Sequence, residues 1–260
     1  DIVHGNLEGP IKGEGKSGGT SMNFAFNVDI APFLKEKGFD LMSISNNHSL
    51  DSGWDGRDTT IAALDSADLG WCGHPTEPDP ESVYYGSVGI QANKLSYAFL
   101  CLHDVSSKLD RQKAIELIAK LDTEVDLVII SIHWGYEYRH TADQAKQVDL
   151  AHGFVDAGAD FIIGHHPHVV QNFEIYKDRF IFYSLGNFVF DQYWSTATQE
   201  QLGLGISIGK ESTEVRLIPM KSELSQSRLM NKEEANKWIE KFISYGNYNE
   251  DTVSEIRKLK

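Results

Sequence analysis

The feature that most constrains this chain is a regular alternation of short apolar runs with stretches of helical periodicity. Runs such as "YAFLCL", "VDLVIISI" and "DFIIG" are separated by segments like "RQKAIELIAKL", in which Ala114, Leu117, Ile118 and Leu121 recur at helical spacing. Such alternation is typical of α/β architecture. The continuous β-branched character of "VDLVIISI" further indicates a strand covered on both faces. We therefore predict an α/β fold.

The alternation of strands and helices stops in the last third of the chain. There "RFIFYSLGNFVF", "LGISI" and "VRLIP" follow one another with no helix between them, which predicts antiparallel strands that complete a second sheet. The segment "NKEEANKWIEKFISYG" predicts a helix that opens with a capping box of Asn231 and Glu234 and buries Trp238 and Phe242. We expect one main domain over residues 1–222 and a C-terminal helical extension over residues 223–260.

Composition and charge exclude several classes of protein. The chain has 24 Lys and Arg against 38 Asp and Glu, a net charge of −14 that would repel a polyphosphate backbone, so we expect no nucleic-acid partner. No apolar run approaches the roughly 20 residues of a membrane-spanning helix. The glycine-rich segment "KGEGKSGG" at residues 12–19 predicts a flexible loop, and it lacks the spacing of a P-loop or dinucleotide motif.

The two cysteines, Cys72 and Cys101, lie on separate predicted strands without CxxC spacing, so no zinc knuckle or redox motif is indicated. We expect two buried free thiols. One disulfide is the alternative if the domain is secreted.

Polar side chains collect where five predicted strands end. In the sequence "DIV" is followed by "HGNLE", "LMSIS" by "NNH", "LVIISI" by "HWG", "DFIIG" by "HHPH", and "FIFYSL" by "GNF". In open α/β sheets the carboxyl ends of the strands line the crevice that binds ligands. We therefore expect residues that are far apart in sequence to converge on one edge.

The "HHPH" segment carries the strongest chemical signal. Each of the other motifs has a structural explanation when taken alone, because an Asn can cap a helix and "HWG" can form a turn. In "HHPH", however, Pro167 stiffens the backbone between His166 and His168, and an H-x-H arrangement can ligate two metals about 3.5–4 Å apart. We interpret the remaining histidines as hydrogen-bonded loop residues: His4, His74, His103, His140 and His152.

The combination of imidazole, carboxylate and amide donors indicates a metal site rather than a chance grouping. The further strand-end donors are Glu8, Asn47, His48 and His133. This ligand set suits Zn, Mn or Fe ions. Two neighbouring cations would generate a hydroxide nucleophile near neutral pH, which is hydrolase chemistry that needs no Ser or Cys nucleophile.

Five motifs in order then carry a family likeness. The segments "NLEGPI", "GFDLMSISNNHSLDSGWDG", "SIHWGYEY", "ADFIIGHHPHVVQNFEIY" and "FIFYSLGNFVFD" together resemble the bacterial capsule synthesis protein CapA family, which is associated with poly-γ-glutamate capsule production. That family belongs to the calcineurin-like metallophosphoesterase superfamily. The likeness runs from about Asp1 to Asp191. It implies a four-layer α/β/β/α metallophosphatase-like sandwich of two mixed sheets flanked by helices.

The resemblance also implies a role for each matching residue. Glu8 would bridge both metals, and Asn47 and His133 would ligate the second metal. His166 and His168 would be the remaining ligands.

Further groups would act beside these ligands. His165 takes the variable position of the last motif, and His48 would stabilise or protonate the leaving oxygen. Asp51 and Asn187 would lie at the rim of the site or behind its ligands, and we include them with His48 as candidate catalytic residues. Glu174 is a weaker candidate.

One departure from the family pattern concerns the start of the chain. The family has a strand upstream of "NLE" that ends in a Gly-Asp motif, whose Asp ligates the first metal. Here Asp1 already lies at the strand leading into "NLE". Either the first strand precedes this sequence, or the protein lacks it and its first metal site is incomplete. We expect a missing segment before Asp1, because lack of the strand would leave an unpaired interior edge in the sheet.

The resemblance implies a dinuclear metal-dependent hydrolase, with Mn, Zn or Fe, that acts in capsule or poly-γ-glutamate production or turnover. Its expected partners are the capsule polymer, a small phosphoester or γ-glutamyl substrate, and other membrane proteins of capsule synthesis. We expect it on the extracytoplasmic face of the cell envelope, anchored through an N-terminal segment absent here. The alternatives are a non-catalytic assembly or polymer-binding component, and a generic metallophosphodiesterase acting on a small substrate.

Overall fold

A computed structural model of the chain describes residues 1–12, 23–89, 94–209 and 213–258. The predicted loop at residues 12–19 therefore lies outside the described residues from residue 13 onward. The chain forms two compact units: Asp1–Trp134 with Asp149–Ile162, and Gly135–Val148 with Ile163–Lys260. Among the helices of the described residues, none combines the length and the apolar character that crossing a membrane requires.

The first unit alternates strands with helices, as the sequence pattern predicts. Its elements in chain order are β1 (His4–Asn6), α1 (Ile30–Glu36), β2 (Leu41–Ser43), α2 (Gly53–Ser66), β3 (Gly70–Cys72), β4 (Val83–Val88), β5 (Leu95–Asp104), α3 (Arg111–Asp122), β6 (Leu127–Trp134) and α4 (Asp149–Asp156). A short 3-10 helix, Pro80–Ser82, precedes β4.

These elements stack in four layers. Strands β1, β2 and β3 form a parallel sheet, and α1 and α2 pack against it through a core that includes Ala31, Ile44 and Leu64. Its other side meets β5 through Leu41 and Phe99. Strand β5 pairs antiparallel with β4 and parallel with β6, and α3 contacts β6 and α4. The order helix, sheet, sheet, helix confirms the predicted α/β/β/α arrangement.

A disulfide joins the two sheets of the first unit and corrects the expectation of free thiols. Cys72 ends β3 and Cys101 lies in β5, and their sulfur atoms are bonded to each other across a Cα–Cα distance of 5.5 Å. Both side chains are fully buried, and no free cysteine is found. The sequence pattern predicts that the two cysteines lie on separate strands, but periodicity carries no information on which buried side chains meet between sheets.

The division between the units falls within β7 (Phe161–His165). In the second unit, a five-residue π-helical turn at Gln144–Val148 precedes α4 in the sequence. The elements after β7 are β8 (Phe173–Tyr176), β9 (Arg179–Phe182), α5 (Thr196–Gln199), β10 (Glu200–Ile208), β11 (Thr213–Glu223), β12 (Gln226–Leu229), α6 (Lys232–Ile243) and α7 (Glu250–Lys258).

The later strands divide between two sheets rather than completing one. The described residues contain a mixed sheet of six strands in the order β4-β5-β6-β7-β9-β8, which takes up the predicted "RFIFYSL" strand as β9. In contrast, β10, β11 and β12 form an antiparallel sheet of their own. This separate sheet is stable because it buries Leu202 and Leu217 against Trp238 and Phe242 of α6.

The C-terminal helices share the core of these strands. Helix α6 begins with the predicted capping box, in which the Asn231 and Glu234 side chains each accept a hydrogen bond from the other's backbone amide. Helix α7 adds Ile256 to the same core. The boundary predicted between residues 222 and 223 falls inside β11, and the division into domain and extension remains a prediction.

Candidate functional site

In the first unit, three predicted site residues meet where β1, β2 and β6 end. The Glu8 Oε1 atom lies 3.8 Å from Nε2 of His133 and 4.0 Å from Nε2 of His48. The side chain of His133 is fully buried, whereas those of Glu8 and His48 keep a small exposed fraction. The structure thus brings a carboxylate and two imidazoles together, as the strand-end pattern predicts.

The turn after β2 is held by Asn46. Its Nδ2 donates a hydrogen bond to the carbonyl of Leu7 at 2.8 Å, and its Oδ1 accepts one from the amide of His48 at 3.1 Å. The amide of Asn46 in turn donates to the Ser49 hydroxyl at 2.8 Å. Asn46 therefore ties the segment that carries His48 to the segment that carries Glu8.

The orientation of the His48 ring is fixed by Asp51. Its Nδ1 lies 2.7 Å from Oδ2 of Asp51, and the same oxygen accepts a hydrogen bond from the Phe24 amide at 2.7 Å. The Phe24 ring packs on the imidazole with a centroid distance of 4.2 Å. Because Nδ1 is engaged, Nε2 is the nitrogen that the ring presents toward Glu8.

The donors of the first unit fit a divalent cation. The 3.8 Å between Glu8 and His133 exceeds hydrogen-bond length but falls below twice a metal–ligand distance of about 2.1 Å. The Oδ1 atom of Asn47 is buried and has no hydrogen-bond partner in the part of the chain that the structure describes. A buried amide oxygen in this state is costly without a partner, and a cation would supply one.

A neighbouring histidine, His103, is also buried. His103 lies edge-on to His133 at 6.2 Å between ring centroids, and its Nδ1 is 3.2 Å from the carbonyl of Pro75. Desolvation lowers the pKa of His103. His103 was predicted to be a hydrogen-bonded loop residue; it is hydrogen-bonded, but it lies within β5.

In the second unit, the "HHPH" segment follows β7 in a constrained conformation. His166 and His168 are buried and both have positive φ, 98° and 58°. The carbonyl of Pro167 between them accepts a hydrogen bond from the Tyr138 amide at 2.8 Å. Burial lowers the pKa of the preceding His165 to about 4, which keeps that imidazole neutral.

Asn187 positions one of these histidines. Its Oδ1 lies 2.8 Å from Nδ1 of His168, and its Nδ2 donates to Oε1 of Gln192 at 3.1 Å and to the carbonyl of Thr198 at 3.0 Å. Because this network engages Nδ1 of His168, Nε2 is the nitrogen that would ligate a metal. Asn187 therefore orients a predicted ligand, while Glu174, the weaker candidate, accepts a hydrogen bond from Tyr183 at 2.6 Å.

Sequence reasoning missed one acidic residue of this group. Glu137, His166 and His168 each place one ligand atom within 4.8 Å of the other two. The signal was present, because Glu137 follows the strand-ending His133 by four residues in "HWGYE". Two imidazoles and a carboxylate form a donor set that divalent transition metals bind.

A further group of potential donors in the first unit has structural partners. His74, Asp79 and Glu81 also lie within ligating range of one another. However, Glu81 accepts a hydrogen bond from the buried Arg57 at 2.5 Å, and Asp79 caps the 3-10 helix through Ser82. These carboxylates are accounted for by the fold.

Comparison with known proteins identifies the family. The family model described as bacterial capsule synthesis protein PGA_cap matches residues 1–192. The chain belongs to this PGA_cap family. The match includes every residue assigned above to a metal or to a position beside it, from Glu8 to Asn187.

Curated relatives agree with the PGA_cap assignment. The capsule biosynthesis protein CapA of Bacillus anthracis is 35% identical over 220 residues, covering 78% of this chain and 53% of the relative. The PGA biosynthesis protein CapA of Bacillus subtilis is 32% identical over 219 residues, with 78% and 56% covered. The chain therefore spans about half the length of the curated relatives it matches.

A solved structure, that of a hypothetical protein from Thermus thermophilus, is similar at 14% identity with a TM-score of 0.49. That similarity covers 72% of this chain and 79% of the other.

Proposed function

We propose that this PGA_cap family member is a metal-dependent hydrolase that acts in the production or turnover of poly-γ-glutamate capsule polymer. The observation that carries the proposal is the placement of the Glu8 carboxylate within 4.0 Å of the Nε2 atoms of His48 and His133. Family membership and the names of the CapA relatives support the capsule role. The donor set supports the hydrolytic chemistry.

The residues that would hold divalent metal are Glu8, Asn47 and His133 in the first unit, and His166, His168 and Glu137 in the second. When bound, such an ion lowers the pKa of its bound water to near neutrality and polarises the bond that is attacked. Mn, Zn and Fe all suit imidazole with carboxylate and amide oxygen.

The protein's own residues would supply proton transfer and orientation. In its protonated form, His48 carries a proton on Nε2 that it can donate to the leaving group. Asp51 accepts the hydrogen bond of Nδ1 and so prevents the ring from turning away. Asn187 does the same for His168. In this proposal, these two residues position the reacting groups.

The proposed place of action is the extracytoplasmic face of the cell envelope. The bond between Cys72 and Cys101 supports this, because disulfides persist in oxidising compartments and are rare in the cytosol. Attachment to the membrane through an N-terminal segment outside this sequence, and contact with other membrane proteins of capsule synthesis, belong to the same proposal.

Metal analysis combined with a substrate panel tests the proposal. The purified protein is expected to hold Mn, Zn or Fe and to cleave γ-glutamyl amides, while His133→Ala loses the cleavage and the metal of the first unit, and the control His152→Ala on α4 keeps both. A protein without transition metal, whose His133→Ala variant supports capsule production in cells, would instead be a non-catalytic assembly component. Cleavage confined to phosphoesters would indicate a generic metallophosphodiesterase.

A further inference from the structure

Two cations of the second unit share one aromatic ring at the solvent-exposed start of the segment that follows β6. The guanidinium carbon of Arg139 and the Nζ atom of Lys146 each lie 4.5 Å from the ring centroid of Tyr136. Because both cations contact the same ring, the distance between the two charges is at most about twice 4.5 Å. Tyr136 itself is 38% exposed.

Neither cation is neutralised by a carboxylate among the described residues. This differs from other cations of the same unit, since Lys221, Arg228 and Lys241 pair with Glu234 or Glu200 at 2.6–2.9 Å. Two positive charges that contact the same ring and have no ion-pair partner among the described residues are unusual in a chain whose net charge is −14. An anion bound beside the Tyr136 ring would relieve their repulsion.

The backbone that carries these charges is held firmly. The carbonyl of Arg139 accepts a hydrogen bond from Nε2 of the buried Gln171 at 2.9 Å. The amide of Lys146 donates to Oδ1 of Asp143 at 3.0 Å, and the next residue, Gln147, is fully buried and donates to Gln171 at 2.7 Å. One buried glutamine thus fixes both ends of the segment, so the cations are preorganised for binding.

The segment also adjoins the metal donors of the second unit. Glu137, next to Tyr136, is grouped with His166 and His168, and the amide of Tyr138 donates to the carbonyl of Pro167. A ligand group held beside the Tyr136 ring would therefore be next to the chain segment whose Glu137 lies within ligating range of the two imidazoles.

We propose that Tyr136, Arg139 and Lys146 form an anion subsite that binds the free α-carboxylates of a γ-glutamyl chain. The assignment of the ligand as a γ-glutamyl chain rests on the proposed function. A planar guanidinium can bind a carboxylate through two parallel hydrogen bonds, and a lysine beside it adds a point charge. In a strongly acidic protein, the positive potential at these two side chains would attract a polycarboxylate that the rest of the surface repels.

Binding of a fluorescent γ-linked glutamate oligomer, followed by anisotropy at low and high salt, tests the subsite. Arg139→Gln and Lys146→Gln are each expected to weaken binding about two- to fivefold and to reduce its salt dependence. The control Lys108→Gln removes an exposed charge from the first unit and should leave the affinity unchanged. Equal affinity of all variants would overturn the subsite.

Two further measurements test the carboxylate ligand independently of the proposed hydrolase activity. The same oligomer with its carboxylates esterified should not compete, whereas effective competition by the ester, or by inorganic phosphate at the oligomer's own concentration, would overturn the carboxylate assignment. Hydrolysis is measured separately on every variant. Charge-dependent binding without any hydrolysis would refute the proposed function and leave the subsite standing, and hydrolysis with charge-independent binding would do the reverse.

Discussion

Oδ2 of Asp51 lies 2.7 Å from Nδ1 of His48 and accepts the Phe24 amide at the same distance. One carboxylate oxygen therefore connects the candidate proton donor to a backbone segment that is remote in sequence. Its location, three residues beyond His48 and off the strand, explains why the ring can only present Nε2 toward Glu8.

Replacing Asp51 by Ala should lower turnover without removing metal. Loss of the hydrogen bond at Nδ1 lets the His48 ring rotate, and loss of such a supporting partner typically costs about 10- to 100-fold. We expect kcat to fall by that factor while KM and metal content change less than about twofold. The matched control is Asp58→Ala, whose side chain is 74% exposed. Unchanged kcat in Asp51→Ala would show that the contact has no role in catalysis.

Replacing Glu137 by Gln should weaken metal binding in the second unit. The change keeps the shape of the side chain but removes the negative charge from the group that contains His166 and His168. Affinity for Mn or Zn, measured by calorimetric titration, should fall at least about tenfold. Glu214→Gln, at a side chain that is 71% exposed in the same unit, should bind metal like the wild type. Equal affinities for both variants would remove Glu137 from the ligand set.

Removing the disulfide should destabilise the first unit. A link between residues separated by 29 positions lowers the entropy of the unfolded chain by an amount worth about 3–4 kcal/mol. We expect Cys72→Ala with Cys101→Ala to reduce the free energy of unfolding in urea by that amount. Thiol titration of the denatured, unreduced wild type should detect no free thiol, and detection of two would contradict the bond.

Stability should decline in alkali partly because of Tyr248. Burial raises the pKa of Tyr248 to about 12, while the unfolded side chain ionises near its ordinary value of about 10. The folded state therefore keeps its proton where the unfolded state has lost it, so stability is fully present below about pH 10 and is lost as the pH rises toward 12.

The Tyr248→Phe variant separates this effect from general alkaline unfolding. At neutral pH it should be less stable by about 1–3 kcal/mol, because the Phe173 amide loses the phenolic oxygen that accepts its hydrogen bond. Between pH 10 and 12 its stability should decline less steeply than that of the wild type, by up to about 1.4 kcal/mol per pH unit. Parallel declines in urea denaturation would contradict the assigned cause.

Periodicity was sufficient to predict the alternating strands and helices of the first unit and the capped helix α6, whereas the four layers were implied by the family resemblance. The burial of a strand or of one helix face determines the spacing of its apolar residues, so these elements can be recognised from the local sequence. The start of α6 is likewise recognisable from its capping pair, Asn231 and Glu234. The separate sheet of β10 to β12 was not predictable in the same way. Nothing in an apolar run such as "LGISI" states which neighbouring strand it will pair with.

The candidate site was predictable to the extent that its residues end strands. Glu8, His48 and His133 meet for that reason, and His166 with His168 follows the same rule. Glu137 was not predicted as a metal ligand, because it is one of many acidic residues in the sequence. Its proximity to the imidazoles depends on a turn beyond β6. The disulfide partner of Cys72 depended likewise on a contact between sheets.

The positive φ angles of His166, His168 and Tyr138 limit how the "HHPH" motif can be reused. Such backbone conformations are unfavourable for residues other than glycine, so the four letters alone do not encode the loop's shape. The hydrogen bond from the Tyr138 amide to the Pro167 carbonyl ties the loop to a second stretch of chain. An engineer who wished to graft this pair of imidazoles onto another scaffold would therefore have to move residues 135–142 with it.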